Sequence, residues 1–410
     1  MWNARRLTAV LCRVLAIVAT AASVASGQAL QTGEARDLPS LRQAAERGDP
    51  NAQFELGVRY AEGKGVAPDD KEAARWILKA AEQGHLEAQF NLGLMYADGN
   101  GVPLDESKAV EWLRRAADRG DARAQANLGM MYANGTGVPQ DLVEAVGWYR
   151  KAADGGNAPA QFSLGLMYVD GKGVPRDAGE AARLFRKAAD QGHVPAQYNL
   201  GLLYANGAGV ERSPEQALHW VRMAAERGEP VAQFTLGRMF ANGTGLARDP
   251  AEAMRWFRRA AEQGNADAEF NLGLMYANGA GVPLDEAQAV QWYLKAANHG
   301  HVAAQTNLGA RFASGSGVAA DLTQAVQWFR RAAEKGDPSA QFNLGVLYAN
   351  GQGVAQDPAE AYVWLALAAS RAAGAEQQRY AAARDTIAAL LTPEQFERAR
   401  TRVQERMKPQ

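Results

Sequence analysis

The groups from which an active centre could be built are few, and their spacing does not build one. The chain carries five histidines and a single cysteine, Cys12. Its 44 basic residues stand against 45 acidic ones, a formal net charge of −1. His85, His193 and His301 recur at intervals of 108 residues, which separates them too far for one metal ion and suits helix N-termini instead. His299 and His301 are neighbours, but no third ligand accompanies them. Lys64 and Lys172 each sit in Gly-Lys-Gly-Val, without the Gly-x-x-x-x-Gly-Lys-Ser/Thr spacing that cradles phosphates. Asp98-Gly99-Asn100-Gly101 lacks the alternating carboxylates of a calcium loop. No Ser-His-Asp set, carboxylate pair or dinucleotide fingerprint stands out. The expectation is a protein without catalytic residues, cofactor or metal. The balanced charge also gives no pull toward nucleic acid.

The elements that hold these residues repeat with a period of 36. Nine units begin at Asp49, His85, Asp121, Asn157, His193, Glu229, Asn265, His301 and Asp337. A fixed period of this length predicts a solenoid, in which each unit buries its apolar face against its neighbours. In the second unit, thirteen residues of helical periodicity end at Gly99 and Gly101, which supply the positive φ that closes a helix. A second helix starts at Asp105 and its equivalents. In eight units a Glu or Gln follows three residues later, predicting a reciprocal capping box. Trp occurs seven residues after that Asp in most units, and a Lys or Arg then precedes an Ala-Ala pair. Such a cation complements the helix dipole.

The first helix sorts into two arcs. Ala88, Gln89, Leu92, Gly93 and Tyr96 share one, and Ala, Leu and Gly are the same there in all nine units. A mid-helix glycine costs about 1 kcal/mol against alanine, so its repetition predicts close helix–helix approach. The glutamines are assigned buried hydrogen-bond roles, and the tyrosine hydroxyls are expected to meet backbone.

The pattern Ala-Gln-Phe-Asn-Leu-Gly-x-Met-Tyr-Ala-x-Gly-x-Gly-Val, then Asp, then Ala-x-x-Trp-x-x-Lys/Arg-Ala-Ala, resembles the Sel-1-like repeat family, a relative of tetratricopeptide repeats. The resemblance covers residues 49–372. It implies an all-α fold, a right-handed superhelix of antiparallel helix pairs, and a scaffolding or adaptor role in bacterial envelope or secretion settings. Some secreted relatives are cysteine-rich and have been linked to penicillin binding. The repeats of this chain hold no cysteine, which weakens that reading.

The remaining segments complete the plan. Residues 1–27 read as an export signal, with Arg5, Arg6 and Arg13 before the apolar run 14–25. Residues 28–48 form a polar leader and a capping helix, and residues 373–410 two further capping helices. Export predicts a periplasmic or secreted protein without stable membrane insertion after cleavage.

By analogy with tetratricopeptide repeats, the second arc of the first helix lines a concave face. Here the units differ, and here the candidate partner-binding residues lie. A polar ladder includes Asn91, Asn127, Asn199, Asn271, Asn307 and Asn343, with Met95, Met131 and Met275 beside it. Asn can donate and accept to an extended peptide, and Met adapts to varied side chains. Arg59, Arg238 and Arg311 replace apolar residues on this arc, while Ala126 and Thr306 replace aromatics. The expected function is a non-enzymatic scaffold binding a protein or peptide segment. A peptidoglycan or glycan binder is the alternative, followed by a penicillin-interacting enzyme.

Overall fold

The structure, a computed structural model, describes residues 37–407. The expected export signal and most of the polar leader lie outside the described residues. Within them there are 21 α-helices, none long and apolar enough to cross a membrane. The fold is an all-α repeat solenoid, and it divides into two compact units between Asn157 and Ala158.

The first unit holds the helix Leu38–Glu46 and three helix pairs: Pro50–Glu62 with Asp70–Glu82, Leu86–Asp98 with Glu106–Asp118, and Ala122–Asn134 with Leu142–Asp154. The second holds six pairs: Ala158–Asp170 with Ala178–Asp190, Val194–Asn206 with Pro214–Glu226, Pro230–Asn242 with Pro250–Glu262, Ala266–Asn278 with Glu286–Asn298, Val302–Ser314 with Leu322–Glu334, and Pro338–Asn350 with Pro358–Arg371. Gly374–Ala388 and Pro393–Met407 follow. The repeats are numbered 1 to 9, with helices A and B in each.

Most helix boundaries have a local cause. Except in repeat 6, where Glu229 makes no side-chain cap bond, the caps described for helix A are an Asp, Asn or His whose side chain accepts a first-turn amide, as His85 Nδ1 does from Ala88 at 3.2 Å. Helix A ends at a glycine with positive φ, such as Gly99 at +74°. The next glycine has a second constraint. A Cβ on Gly101 would lie 1.9 Å from the Asp70 carbonyl oxygen of the preceding repeat. This position is therefore fixed by packing between repeats as well as by φ. Helix B is capped by Asp69, Asp105 and their equivalents, whose carboxylates accept the amides two or three residues on.

The expected capping box is only half present in the B helices. The amide of Asp69 donates to Tyr60 O at 3.0 Å, and that of Asp105 to Tyr96 O at 2.9 Å. The glutamates are thereby released to pair with arginines, as in Glu72–Arg75, Glu180–Arg183 and Glu252–Arg255. The reciprocal box does form at Thr392, whose amide donates to Gln395 Oε1 at 3.0 Å while its Oγ1 accepts from the Gln395 amide at 3.2 Å.

Within each unit the cores lie at the seams between consecutive repeats. Ile77, Ala80 and Ala81 of repeat 1 meet Ala88, Leu92 and Trp112 of repeat 2 in one cluster. Val221, Ala224 and Ala225 of repeat 5 meet Ala232, Leu236 and Trp256 of repeat 6 in another. A single pair thus cannot complete a core alone, which is why the repeat must stack. The mid-helix glycines pack as expected. A Cβ on Gly93 would lie 2.7 Å from Leu113 Cγ, and one on Gly273 2.5 Å from the Tyr293 ring. In six repeats the cation before the Ala-Ala pair sits over the tryptophan three residues earlier, as Arg115 does over Trp112 at 4.1 Å and Lys295 over Trp292 at 4.1 Å from the ring centre.

Candidate functional site

The variable arc of helix A is held in place by bonds within and between repeats. The amide nitrogens of Asn91, Asn127, Asn199 and Asn271 donate to the carbonyls four residues back, at 2.8, 2.9, 2.8 and 2.7 Å. One geometry thus recurs at four half-buried ladder positions, and among the described residues no protein donor reaches their Oδ1 atoms. Asn307 lies beside the Tyr293 hydroxyl, whose pKa burial raises and the asparagine side chain draws back. Asn343 is half-buried at the same position of helix A.

The other candidates are placed differently. Met131 and Met275 are buried in the seam cores, 4 % and 7 % exposed, and Met95 packs half-buried against another. The first two are core residues rather than contact surface, a correction that follows from the seam reaching further round helix A than its invariant positions. The three arginines are engaged internally. Arg59 pairs with Glu55 at 2.7 Å, Arg238 lies 5.8 Å from the centre of the Phe234 ring, and Arg311 pairs with Glu286. Thr306 hydroxyl reaches Asp337 Oδ1 at 3.1 Å. Beside Ala126, Arg123 lies over Phe90 at 4.4 Å and pairs with Glu87 and Asp121, contacts that raise its already high pKa.

The histidines at unit starts pair capping with stacking. His85 stacks on Phe54 at 4.7 Å, His193 on Phe162 at 4.9 Å and His301 on Phe270 at 4.3 Å. Each accepts an amide through Nδ1, so each needs an unprotonated Nδ1 to cap. Burial pushes the His193 imidazole down from 6.5 to about 4, and lowers His85 as well.

The tyrosine hydroxyls correct the sequence expectation. They meet arginine side chains eighteen residues earlier rather than backbone. Arg42 donates to Tyr60 at 2.9 Å, Arg186 to Tyr204 at 2.5 Å, Arg258 to Tyr276 at 3.2 Å and Arg330 to Tyr348 at 2.5 Å, and Arg114 bonds Tyr132 likewise. The glutamines bear out theirs. Gln53, Gln89, Gln125, Gln197, Gln233, Gln305 and Gln341 each donate Nε2 to the alanine carbonyl eight residues back, at 3.0 to 3.2 Å.

One residue of chemical interest escapes a reading based on the variable arc. Position 269 is glutamate where the other eight units have glutamine. Its side chain is 3 % exposed, and Oε2 lies 2.8 Å from His299 Nδ1. The signal was a change of charge in an otherwise constant column.

Comparison with known proteins places these repeats. The Sel1 repeat family model matches nine consecutive segments, 50–85, 86–121, 122–157, 158–193, 194–229, 230–265, 266–301, 302–337 and 338–372. Among curated proteins nothing matches. A solved Sel1 repeat protein from Oxalobacter formigenes is 40 % identical, with 77 % of this chain and 91 % of that one covered and a TM-score of 0.61. The protein c5321, a protective antigen of uropathogenic Escherichia coli with the same repeat fold, is 34 % identical, with 91 % and 95 % covered and a TM-score of 0.55. The seam cores, the paired helices and the nine matched segments together make this chain a member of the Sel1 repeat family.

Proposed function

We propose that the protein is a non-enzymatic binding scaffold of the bacterial cell envelope, which engages a protein or peptide segment along the variable arc of its A helices. The observation that supports this most directly is the asparagine ladder. At Asn91, Asn127, Asn199 and Asn271 the Nδ2 is tied to its own helix, so the side chain is held with Oδ1 free to accept. Acceptors of one geometry, in repeats 2 and 3 of the first unit and 5 and 7 of the second, suit the amides of an extended backbone. Conserved geometry with no catalytic partner nearby is what a recognition surface needs and a reaction centre does not. The related antigen c5321 is a bacterial protein of the same fold, which agrees with an envelope setting.

The test is affinity capture from envelope extract with the full chain, beside the double substitution Asn199→Ala and Asn271→Ala. A protein enriched by the wild type and lost with the double variant is the expected result. If no protein is enriched and the pure chain sediments with peptidoglycan, the glycan-binding reading takes its place.

A further inference from the structure

The seam between repeats 6 and 7 contains a cavity of about 410 Å³, with Gly264, Glu269, Trp292 and His299 in its lining. In repeats 2, 5, 6 and 8 a long residue at the end of helix B reaches back to the glycine carbonyl before helix A. Arg119 bonds Gly84 O, Arg227 reaches Gly192 O at 3.0 Å, Gln263 reaches Gly228 O at 3.1 Å and Lys335 reaches Gly300 O at 2.9 Å. In repeat 2 the same Arg119 guanidinium also meets the buried glutamine, Gln89 Oε1, at 3.3 Å. The slot therefore has a known occupant within this chain, a guanidinium between a glycine carbonyl and a buried side-chain oxygen.

In repeats 1 and 4 the residue at this place, Gln83 or Gln191, bonds the buried glutamine Oε1 and a carbonyl of its own helix instead, repeat 3 has Gly155, and repeat 7 departs from repeats 2, 5, 6 and 8 at two positions together. The residue there is His299, whose ring comes within 3.9 Å of the place a Gly264 Cβ would take but whose Nδ1 turns to Glu269 Oε2 at 2.8 Å and not to the glycine carbonyl. The buried glutamine is Glu269, which as a carboxylate has no proton to donate to Ala261 O, the bond made by glutamine in seven other repeats. Among the described residues, no protein donor reaches Gly264 O, and Ala261 O receives only backbone amides, that of Gly264 at 2.9 Å and that of Gln263. The walls have opened too. Trp292 is half-buried, whereas Trp112, Trp256 and Trp328 are buried. Lys295 also lines the cavity, and it lies over Trp292 at 4.1 Å. The acid Glu262 stands exposed at the rim.

We propose that this cavity is a receptor for a guanidinium group, supplied from outside the chain in place of the arginine that closes repeat 2. A guanidinium offers five N–H donors in a planar fork, which suits a carboxylate beside carbonyl oxygens. The exchange of a neutral amide for a charged, nine-tenths-buried carboxylate raises the preference for a cationic donor over a neutral one. The proposal does not depend on the asparagine ladder, because it concerns the opposite arc of helix A and is tested with small probes.

The full chain is titrated with methylguanidinium chloride, with acetyl-Gly-Arg-Gly-amide and with acetyl-Gly-Lys-Gly-amide at constant ionic strength, observing the tryptophan indole signals by NMR. The wild type is expected to bind both guanidinium probes, with the peptide tighter if the natural source is an arginine side chain and equal if it is a free small molecule. Glu269→Gln and His299→Arg should each weaken methylguanidinium binding by about tenfold or more. Both substitutions install a residue that the chain already uses at the equivalent place, so circular dichroism should show an intact fold. Absence of wild-type binding up to about 20 mM, undiminished binding in either variant, or equal binding of the lysine peptide would overturn the proposal.

Discussion

Replacing Gly209 by alanine should destabilise the second unit by roughly 3–4 kcal/mol, while the same change at Gly228 should cost roughly 1–2 kcal/mol. Both glycines have positive φ, +72° and +93°, so both variants carry the strain of an L-residue in that region. They differ in room. A Cβ on Gly228 meets nothing within 4 Å, whereas one on Gly209 would lie 2.1 Å from both C and O of Ala178 and 2.5 Å from the Gly179 amide nitrogen. Ordinary contact begins near 3.4 Å, so the turn must retreat from the preceding helix B by about an ångström, an overpacking of the kind that adds 1–3 kcal/mol. Solenoids open locally, so the assay is hydrogen exchange of the Ala178–Asp190 amides alongside a thermal melt of the full chain. Gly209→Ala should accelerate exchange there selectively, and Gly228→Ala should not. Equal losses of stability in the two variants would refute the argument that inter-repeat contact, and not φ alone, fixes this glycine.

Three further outcomes follow from particular contacts. The His193 imidazole titrates near 4 in the fold against 6.5 when unfolded, so the native state binds fewer protons and stability is full above 6.5 and lost as pH falls toward 4. At about 1.4 kcal/mol per pH unit the loss reaches about 3 kcal/mol. His193→Asn, a cap already used at Asn265, should flatten that part of the stability-against-pH curve measured by urea unfolding. Tyr204→Phe removes the acceptor of Arg186 and should cost about 1 kcal/mol or less, because Phe240 and Phe312 occupy the same position; a larger fall in melting temperature would argue against that equivalence. Glu360 is buried against Arg402 and Arg406, with Arg406 over Trp364. Glu360→Gln should therefore loosen Pro393–Met407 and raise exchange in that helix by tenfold or more, at a stability loss of about 2 kcal/mol or more.

The period, the helix pairs and the buried Ala-Gln-Leu-Gly arc were legible because each rests on contacts repeated in every unit. A turn glycine, a capping Asp and an apolar stripe declare themselves locally. What was not legible lies in partners that only folding brings together. Arg186 and Tyr204 are eighteen residues apart, and His299 and Glu269 thirty, on different helices. Periodicity placed each residue on an arc without saying what faced it. The methionines show the same limit from the other side. Met131 and Met275 occupy the variable arc by helical angle, yet the neighbouring repeat overlaps that edge and buries them.

Nine internal copies also allow a departure to be judged by what accompanies it. Glu55 and Arg59 both depart from their columns in repeat 1, and they neutralise each other at 2.7 Å; the pair closes on itself and leaves nothing for a ligand. Glu269 and His299 likewise depart together in repeat 7, but their contact does not complete the slot. It engages the residue whose counterparts in repeats 2, 5, 6 and 8 donate to the glycine carbonyl, and it sets a buried acidic side chain beside Gly264 in the wall of a cavity. What separates a site from tolerated drift is a paired departure that opens onto such a space, and the repeat 7 pair does so where the repeat 1 pair closes on itself.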